Sequence, residues 1–350
     1  MNRPHVLIHP SDMAQSDWVR CILPFMQFMG MNAYQIAPSI THITCTNKNV
    51  LKQTRSVIIQ RPTASGRMET ALAYAALKKE CGFKLITDID DLIWDLSPII
   101  QSYAKDINNY DNIIMTRLDR VLPAFDTIVC ATQYLANRIK NDFGIDSIVM
   151  PNGVSRSLFG MNARTAPFSG TPRVMYAGNL GHYTDTDVGD FEGPWIPWLR
   201  KSIENKVIDF YCFGNPNFLK GLEDHYTSVP YTNIMQFPSV TANLHPDFYI
   251  APLADNNFNK AKSDLKLKEA AALGAVFIGS DFSNSPYSYA PAEQLIKNTD
   301  NEEALNEKFK QLCNPDNYMT AIQWQDKMAT ENHWFYEDPV FQEKFINSHT

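Results

Sequence analysis

Short apolar runs alternate with amphipathic stretches along the whole chain. Val6-Leu7-Ile8-His9 is a β-type run that stops at the turn signal Pro10-Ser11-Asp12. Apolar Trp18, Cys21, Ile22, Phe25, Met26 and Met29 then recur at helical spacing. The same alternation predicts strands at Ser56–Gln60, Lys84–Thr87, Thr127–Cys130 and Ser147–Met150. Between them lie an alanine-rich helix at Met68–Cys81, closed by Gly82, and a helix at Gln133–Phe143, closed by Gly144. Pro151-Asn152-Gly153 ends this half. The polar stretch from Gly160 to Pro172 predicts a linker. A second alternation follows, with strands at Arg173–Tyr176, Ile208–Phe213, Phe248–Ala251 and Val276–Gly279. Helices lie between these strands, most clearly at Ser263–Leu273, and residues 301–350 are helical and rich in aromatics.

Two rounds of strand and helix predict an α/β protein of two Rossmann-like domains facing each other across a cleft. The expected boundaries are 1–165 and 170–330, with a helix in 331–350 crossing back to the first domain. Ligands of such sheets bind outside the carboxyl ends of the strands, so the informative residues should follow strands.

Composition narrows the function. The 350 residues carry a formal net charge of −7, which weighs against a surface built for polyanions but leaves room for a local basic patch. Cys21, Cys45, Cys81, Cys130, Cys212 and Cys313 form no C-x-x-C pair and are expected as buried, reduced thiols. No stretch near the start reads as a signal peptide, and no apolar run has membrane-spanning length. A soluble, cytoplasmic protein is expected.

The densest chemistry lies between Asp255 and Gly274. Ser263 is the expected N-cap of a helix that Gly274 ends. A helix N-terminus presents N–H groups and a positive dipole end, which suits a diphosphate, and Lys262 adds a full charge there. Lys262, Lys266 and Glu269 follow i, i+4, i+7 spacing and would share one face, the lysines neutralising phosphates while the carboxylate accepts from a ribose diol. The competing reading is a solvated charged face with Glu269 paired to Lys266. Asp88, Asp90 and Asp91 after the Lys84–Thr87 strand read three ways: as cleft residues that position sugar or acceptor, as turn caps, or as a D-x-D that binds a divalent metal and diphosphate. His9 ends the first strand and His182 follows a later one, and each reads as a catalyst or as a polar neighbour. Trp195, Pro197 and Trp198 read as a stacking surface or as core.

These segments resemble a known family. Pro252-Leu253, Asn259, Lys262-Ser263, Lys266, Glu269 and Ala272-Leu273-Gly274 in that order are similar to retaining glycosyltransferases of the glycosyltransferase-B fold, in the branch of families one and four. Asp88-Ile89-Asp90-Asp91-Leu92, Pro151-Asn152-Gly153 and Tyr176-Ala177-Gly178-Asn179 with His182 and Asp185 resemble further segments of that branch. The resemblance covers residues 84–282. It implies sugar transfer from a nucleoside diphosphate sugar to a hydroxyl with retention, and no required metal or other cofactor. By the same resemblance Gly178, Asn179, Lys262, Ser263, Lys266 and Glu269 would bind the donor, while Asp90, Asp91 and His182 would act at the reaction centre. Two departures stand out. Many members carry a first glutamate where this chain has Ala261, and many have an Arg and a Lys in the loop that here reads Gly178-Asn179-Leu180-Gly181-His182.

The first loop, His9-Pro10-Ser11-Asp12 with Arg20 on the helix behind it, resembles bacteriophage glycosyltransferases. That makes Ser11, Asp12 and Arg20 acceptor-binding candidates and 5-hydroxymethylcytosine in phage DNA the favoured acceptor. A cell-envelope glycan or lipid-linked acceptor is the alternative, and an inactive sugar-binding module with a transferase fold is a third reading. No stable membrane insertion is expected. A DNA acceptor would need positive charge on the first domain, and the candidates are Arg55, Arg61, Arg67, Arg117, Arg120, Arg138 and Lys140.

Overall fold

The structure, a computed structural model, describes residues 5–11, 16, 18–28, 36–63, 66–97, 100–101, 110–160, 164–178, 189–214, 216–233 and 235–350. The first half runs β1 (His5–His9), α1 (Leu23–Phe28), β2 (Ala37–Ile40), α2 (Lys48–Leu51), β3 (Thr54–Gln60) and α3 (Arg67–Cys81). It continues with β4 (Lys84–Ile89), α4 (Tyr110–Val121), β5 (Thr127–Cys130), α5 (Gln133–Phe143), β6 (Ile148–Val149) and α6 (Arg156–Phe159). Its six strands form one parallel sheet in the order β2-β1-β3-β4-β5-β6.

The second half begins with β7 (Arg173–Tyr176), α7 (Trp195–Glu204), β8 (Asp209–Phe213), β9 (Thr227–Val229), α8 (Phe237–Leu244) and β10 (Phe248–Ala251). After these come α9 (Asn257–Ala261), α10 (Leu265–Leu273), β11 (Val276–Asp281), β12 (Leu295–Lys297), α11 (Glu302–Leu312), α12 (Pro315–Glu331) and α13 (Pro339–His349). Its sheet is also parallel and six-stranded, in the order β12-β11-β10-β7-β8-β9. The protein is therefore an α/β molecule of two Rossmann-like halves.

The strands are apolar on both faces because helices cover both, with alternate residues pointing to opposite sides. In the first sheet Leu7, Val57, Ile59 and Leu85 pack against Tyr74, Leu118 and Ile139. Val6, Ile8, Ile58 and Ile86 face the other way, against Cys21, Phe25 and the last helix. In the second sheet Val174, Phe210, Phe248 and Ile250 pack against Trp195, Trp198 and Leu199, so these tryptophans are core rather than a stacking surface. Met175, Tyr249 and Phe277 meet Leu267, Ala270 and Ala271 of α10.

The final helix covers the first sheet, not the second. Phe341, Phe345 and Ile346 of α13 join the first-half core, each buried Phe contributing about 1.5–3 kcal/mol relative to exposure. The return is fixed by a parallel bridge between Val154 and Phe335 and by the Tyr336 hydroxyl, which donates to the Val19 carbonyl at 2.9 Å. Gly153 stands where the returning chain passes, and a Cβ there would meet the rings of Tyr336 and Phe341 at 2.6–2.8 Å. The described part of the linker is not loose. Arg164 donates to Asp247 Oδ1 at 2.6 Å, and the Phe168 ring lies 5.2 Å from that of Tyr318. All six cysteines are free, but Cys45 and Cys313 are only partly buried. Among the described residues no helix is long and apolar enough to cross a membrane.

Candidate active site

In the second sheet the strand order reverses between β7 and β10, and both strands end at the same crevice. A cleft of about 580 Å³ opens there between the two halves. The second half supplies Gly178 after β7, Tyr249 on β10, and Lys262, Ser263, Lys266 and Glu269 from the segment after β10. The first half supplies Ser16, Arg20, Arg61, Asp90, Asp91 and Asn152.

The expected single helix face from Lys262 to Glu269 is corrected by the backbone. Asn256 caps the five-residue α9, accepting from Asn259 N, and the chain then extends at Lys262, with φ −61° and ψ 153°. The next helix starts at Leu265 behind Asp264, which makes no side-chain capping bond. Ser263 is therefore not the N-cap, and its hydroxyl accepts from Asn152 Nδ2 at 2.7 Å. Lys262 stands before α10 rather than on its face, with Nζ 4.6 Å from the Phe258 ring.

Lys266 and Glu269 are no solvated pair. The Lys266 ammonium is buried, has no hydrogen-bond partner among the described residues and lies 4.8 Å from the Tyr176 ring. Burial lowers its pKa to about 8, aided by Lys262 and opposed by Asp190 and Glu269. Glu269 is 4% exposed and accepts from the Tyr249 hydroxyl at 2.9 Å. Burial raises its carboxyl to about 7 against the pull of that hydrogen bond and of Lys266. Gly178 leaves room for the Tyr176 hydroxyl, which occupies the space a Cβ would take.

The opposite wall is organised by arginines. Asp88 is the penultimate residue of β4, fully buried, and receives Arg20 Nε at 2.9 Å and Nη2 at 2.6 Å. His349 Nε2 of α13 lies 3.1 Å from Asp88 Oδ2. Burial would raise this carboxyl, yet Arg20 and His349 bring it down to about 2. Arg20 was expected to face an acceptor. Instead, from a π-helical turn, Trp18–Ile22, its guanidinium also donates to Met150 O and Asn152 Oδ1. Asp90 and Asp91 do reach the cleft, and both are held by Arg61, Asp90 through Nε at 2.8 Å and Nη2 at 3.0 Å, Asp91 through Nη2 at 2.6 Å. The carboxylates that the metal reading requires thus hold guanidinium groups. Burial pushes the Asp90 carboxyl above its ordinary value despite Arg61.

Asn152 joins the walls. It accepts from Arg20 of the first half, donates to Ser263 of the second, and its carbonyl accepts from Lys268 Nζ at 2.6 Å. Lys268 is 2% exposed and also pairs with Asp264 at 2.9 Å. Beside this joint, Phe258 and Ala261 of α9 pack into the first-half core, and the Ala261 carbonyl accepts from Thr132 Oγ1 at 3.0 Å. A glutamate at 261 would be driven into that core.

Ser11 follows β1 but Ser16, not Ser11, lines the cleft. Asp12, Asn179 and His182 lie outside the described residues. His9 is buried with Nε2 3.0 Å from the Tyr74 hydroxyl, and burial lowers its pKa to about 4. Sequence reasoning missed the cleft roles of Arg61, Asn152 and Tyr249. Asn152 stood within a quoted motif, whereas Arg61 is 29 residues from Asp90 and no spacing rule joins them.

No family model matches the chain, and no curated protein matches it. Solved structures do. Sucrose-phosphate synthase from Thermosynechococcus elongatus superposes with a TM-score of 0.57 at 11% identity, over 99% of this chain and 98% of that one. TarM superposes at 0.56 and 14% identity over 85% of this chain, which spans only 55% of TarM. An S. aureus TarM variant in complex with fondaparinux, α-GlcNAc-glycerol and UDP gives 0.52 at 13% identity, over 85% of this chain and 56% of that one. With two parallel Rossmann-like sheets and a cleft between them, the chain has the glycosyltransferase-B fold.

Proposed function

We propose that the protein is a glycosyltransferase that moves a sugar from a nucleoside diphosphate sugar to an acceptor hydroxyl with retention, without a required metal ion. The observation that carries this reading is the Lys266 ammonium, buried at the reversal point of the second sheet without a hydrogen-bond partner among the described residues. A diphosphate bound there would satisfy Lys266, meet Lys262, and lie near the start of α10. Glu269, a few residues along α10, would accept from ribose hydroxyls. Stabilisation of the departing diphosphate and positioning of the two substrates would do most of the catalysis. Retention rests on the motif resemblance.

Of the seven basic residues expected to face a DNA acceptor, Arg55 is half-buried, Arg120 is exposed, and the other five have contacts within the protein. Arg61 and Arg138 are paired with aspartates, Lys140 with Asp146, and Arg117 donates to the Thr63 carbonyl. Arg67 is 7% exposed and lies against His42.

A thermal-shift panel of nucleoside diphosphates tests the donor site, with UDP tried first because the TarM complex holds it. A ligand at 100 times its Kd should stabilise the protein by about 2.7 kcal/mol. Hydrolysis of the matching sugar nucleotide should persist in excess chelator. Lack of any nucleotide-dependent shift would overturn the reading, and chelator-abolished turnover restored by Mn²⁺ would return Asp90 and Asp91 to the metal reading.

A further inference from the structure

We propose that Asn152 is a positioning residue through which the first half fixes the place of Lys262, and so sets the affinity of the second half for a nucleoside diphosphate. The inference rests on the reading in which Lys262 meets the donor diphosphate. Lys262 stands in extended backbone between α9 and α10, outside both helices. Its ammonium lies over the Phe258 ring, while the carboxylates nearest in sequence, Asp255 and Asp264, hold Lys260 and Lys268 instead. A charge with no carboxylate to anchor it is located by the backbone on either side. Lys262 also shares the cleft with Lys266, a like charge that repels it unless an anion lies between them.

Both flanks of Lys262 are held by the first half. Before it, Phe258 and Ala261 pack into the first-half core, and the Ala261 carbonyl accepts from Thr132 Oγ1. After it, Ser263 Oγ accepts from Asn152 Nδ2 at 2.7 Å. Asp264 is reached as well, because Lys268 Nζ bonds both its carboxylate and the Asn152 carbonyl. One residue of the first half thus holds the two residues that follow Lys262. Asn152 is itself fixed. It is 7% exposed, and its Oδ1 accepts from Arg20, which is anchored on Asp88. A side-chain amide suits the position, since its oxygen accepts from the guanidinium while its NH₂ donates to the hydroxyl. A carboxylate there would add a second negative charge beside an arginine that Asp88 already neutralises. An apolar side chain would release Ser263. Lys262 could then drift, and a misplacement of about 1 Å is enough to weaken its bond to a phosphate.

The test is a double-mutant cycle read by calorimetric titration of UDP into the full chain. Asn152→Ala and Lys262→Ala should each weaken UDP by about tenfold, as expected for losing a hydrogen bond to a charged group or the geometry that forms it. The double variant should bind no more than about twofold more weakly than Lys262→Ala alone, because Asn152 acts only through that lysine. Ser263→Ala should reproduce the loss, and Ser263→Thr, which keeps the hydroxyl, should recover most of it. Thermal midpoints identify any variant that misfolds, and Ser263→Ala carries the same cycle with Lys262→Ala if Asn152→Ala does not fold. Losses that multiply in the double variant, or full affinity in Asn152→Ala or in Lys262→Ala, would overturn the proposal. Absence of UDP binding by the parent protein, together with absence of any shift in the nucleotide panel, would instead overturn the donor reading beneath it.

Discussion

At the scale of single residues, the donor side of the cleft places two groups with opposite titrations on one short helix. Glu269 is raised to about 7 and Lys266 lowered to about 8, in both cases chiefly by burial. If the carboxylate accepts from ribose and the ammonium meets phosphate, nucleotide affinity should fall below pH 7, as Glu269 gains a proton. It should fall again above pH 8, as Lys266 loses one. Calorimetric titration of UDP across pH 5.5–9.5 should therefore give a narrow bell. A flat profile between pH 6 and 9 would remove both groups from the site. The residue types here were legible in the sequence, since lysines and a glutamate after a strand suit a nucleotide. Their burial was not, because a charged i, i+4 pattern looks the same on a solvated face. What buries Lys266 and Glu269 is the second sheet beneath them, through Tyr176 and Tyr249.

At the scale of elements, α9 decides how the halves meet. Five residues long, it is too short to hold itself together, and its Phe258 and Ala261 draw stability from the opposite half. Replacing Ala261 by Glu restores the residue common in the resembling family but places a carboxylate at a fully buried position. Expected is a loss of about 3 kcal/mol or more by denaturant unfolding, with no gain in transfer. A variant as stable as the parent and faster in transfer would show that α9 leaves the first half during the reaction. Among strands, those with unbroken apolar runs were legible. The three that escaped notice, β2, β9 and β12, are at sheet edges. β2 and β9 expose residues along their length, and β12 has only Leu295 and Ile296 buried before Lys297, so none offers a clear apolar run. The helix break at Lys262 escaped for a different reason: Asn256 caps one helix and Asp264 begins another within eight residues, and a continuous pattern of lysines conceals the seam.

At the scale of the whole molecule, the two-sheet plan was readable from the alternation of elements, while the polar contacts that bind distant segments were not. Arg20 and Asp88 are 68 residues apart and Asp88 and His349 are 261 apart, beyond any sequence period. Removing residues 339–350 would strip Phe341, Phe345 and Ile346 from the first sheet and His349 from Asp88. At about 1.5–3 kcal/mol for each large apolar side chain, the loss rivals the total stability of about 5–15 kcal/mol typical of a domain. Hydrogen exchange of the shortened chain should show lost protection in β1, β3 and β4 with β7, β10 and β11 still protected. Equal protection in both halves would show that the last helix is dispensable.

The return of α13 also sets an order for assembly on the ribosome. The strand that holds Asp88 leaves the exit tunnel early, yet its final partner, His349, is made 261 residues later. At a synthesis rate of about 5–20 residues per second, the first sheet waits roughly 10–50 s with one face uncovered. The second half, whose own strands are finished by Lys297, can complete its sheet within that interval. The half that is translated first is thus the half that finishes last, and for that time the exposed face of β1, β3 and β5 is the surface a chaperone would meet.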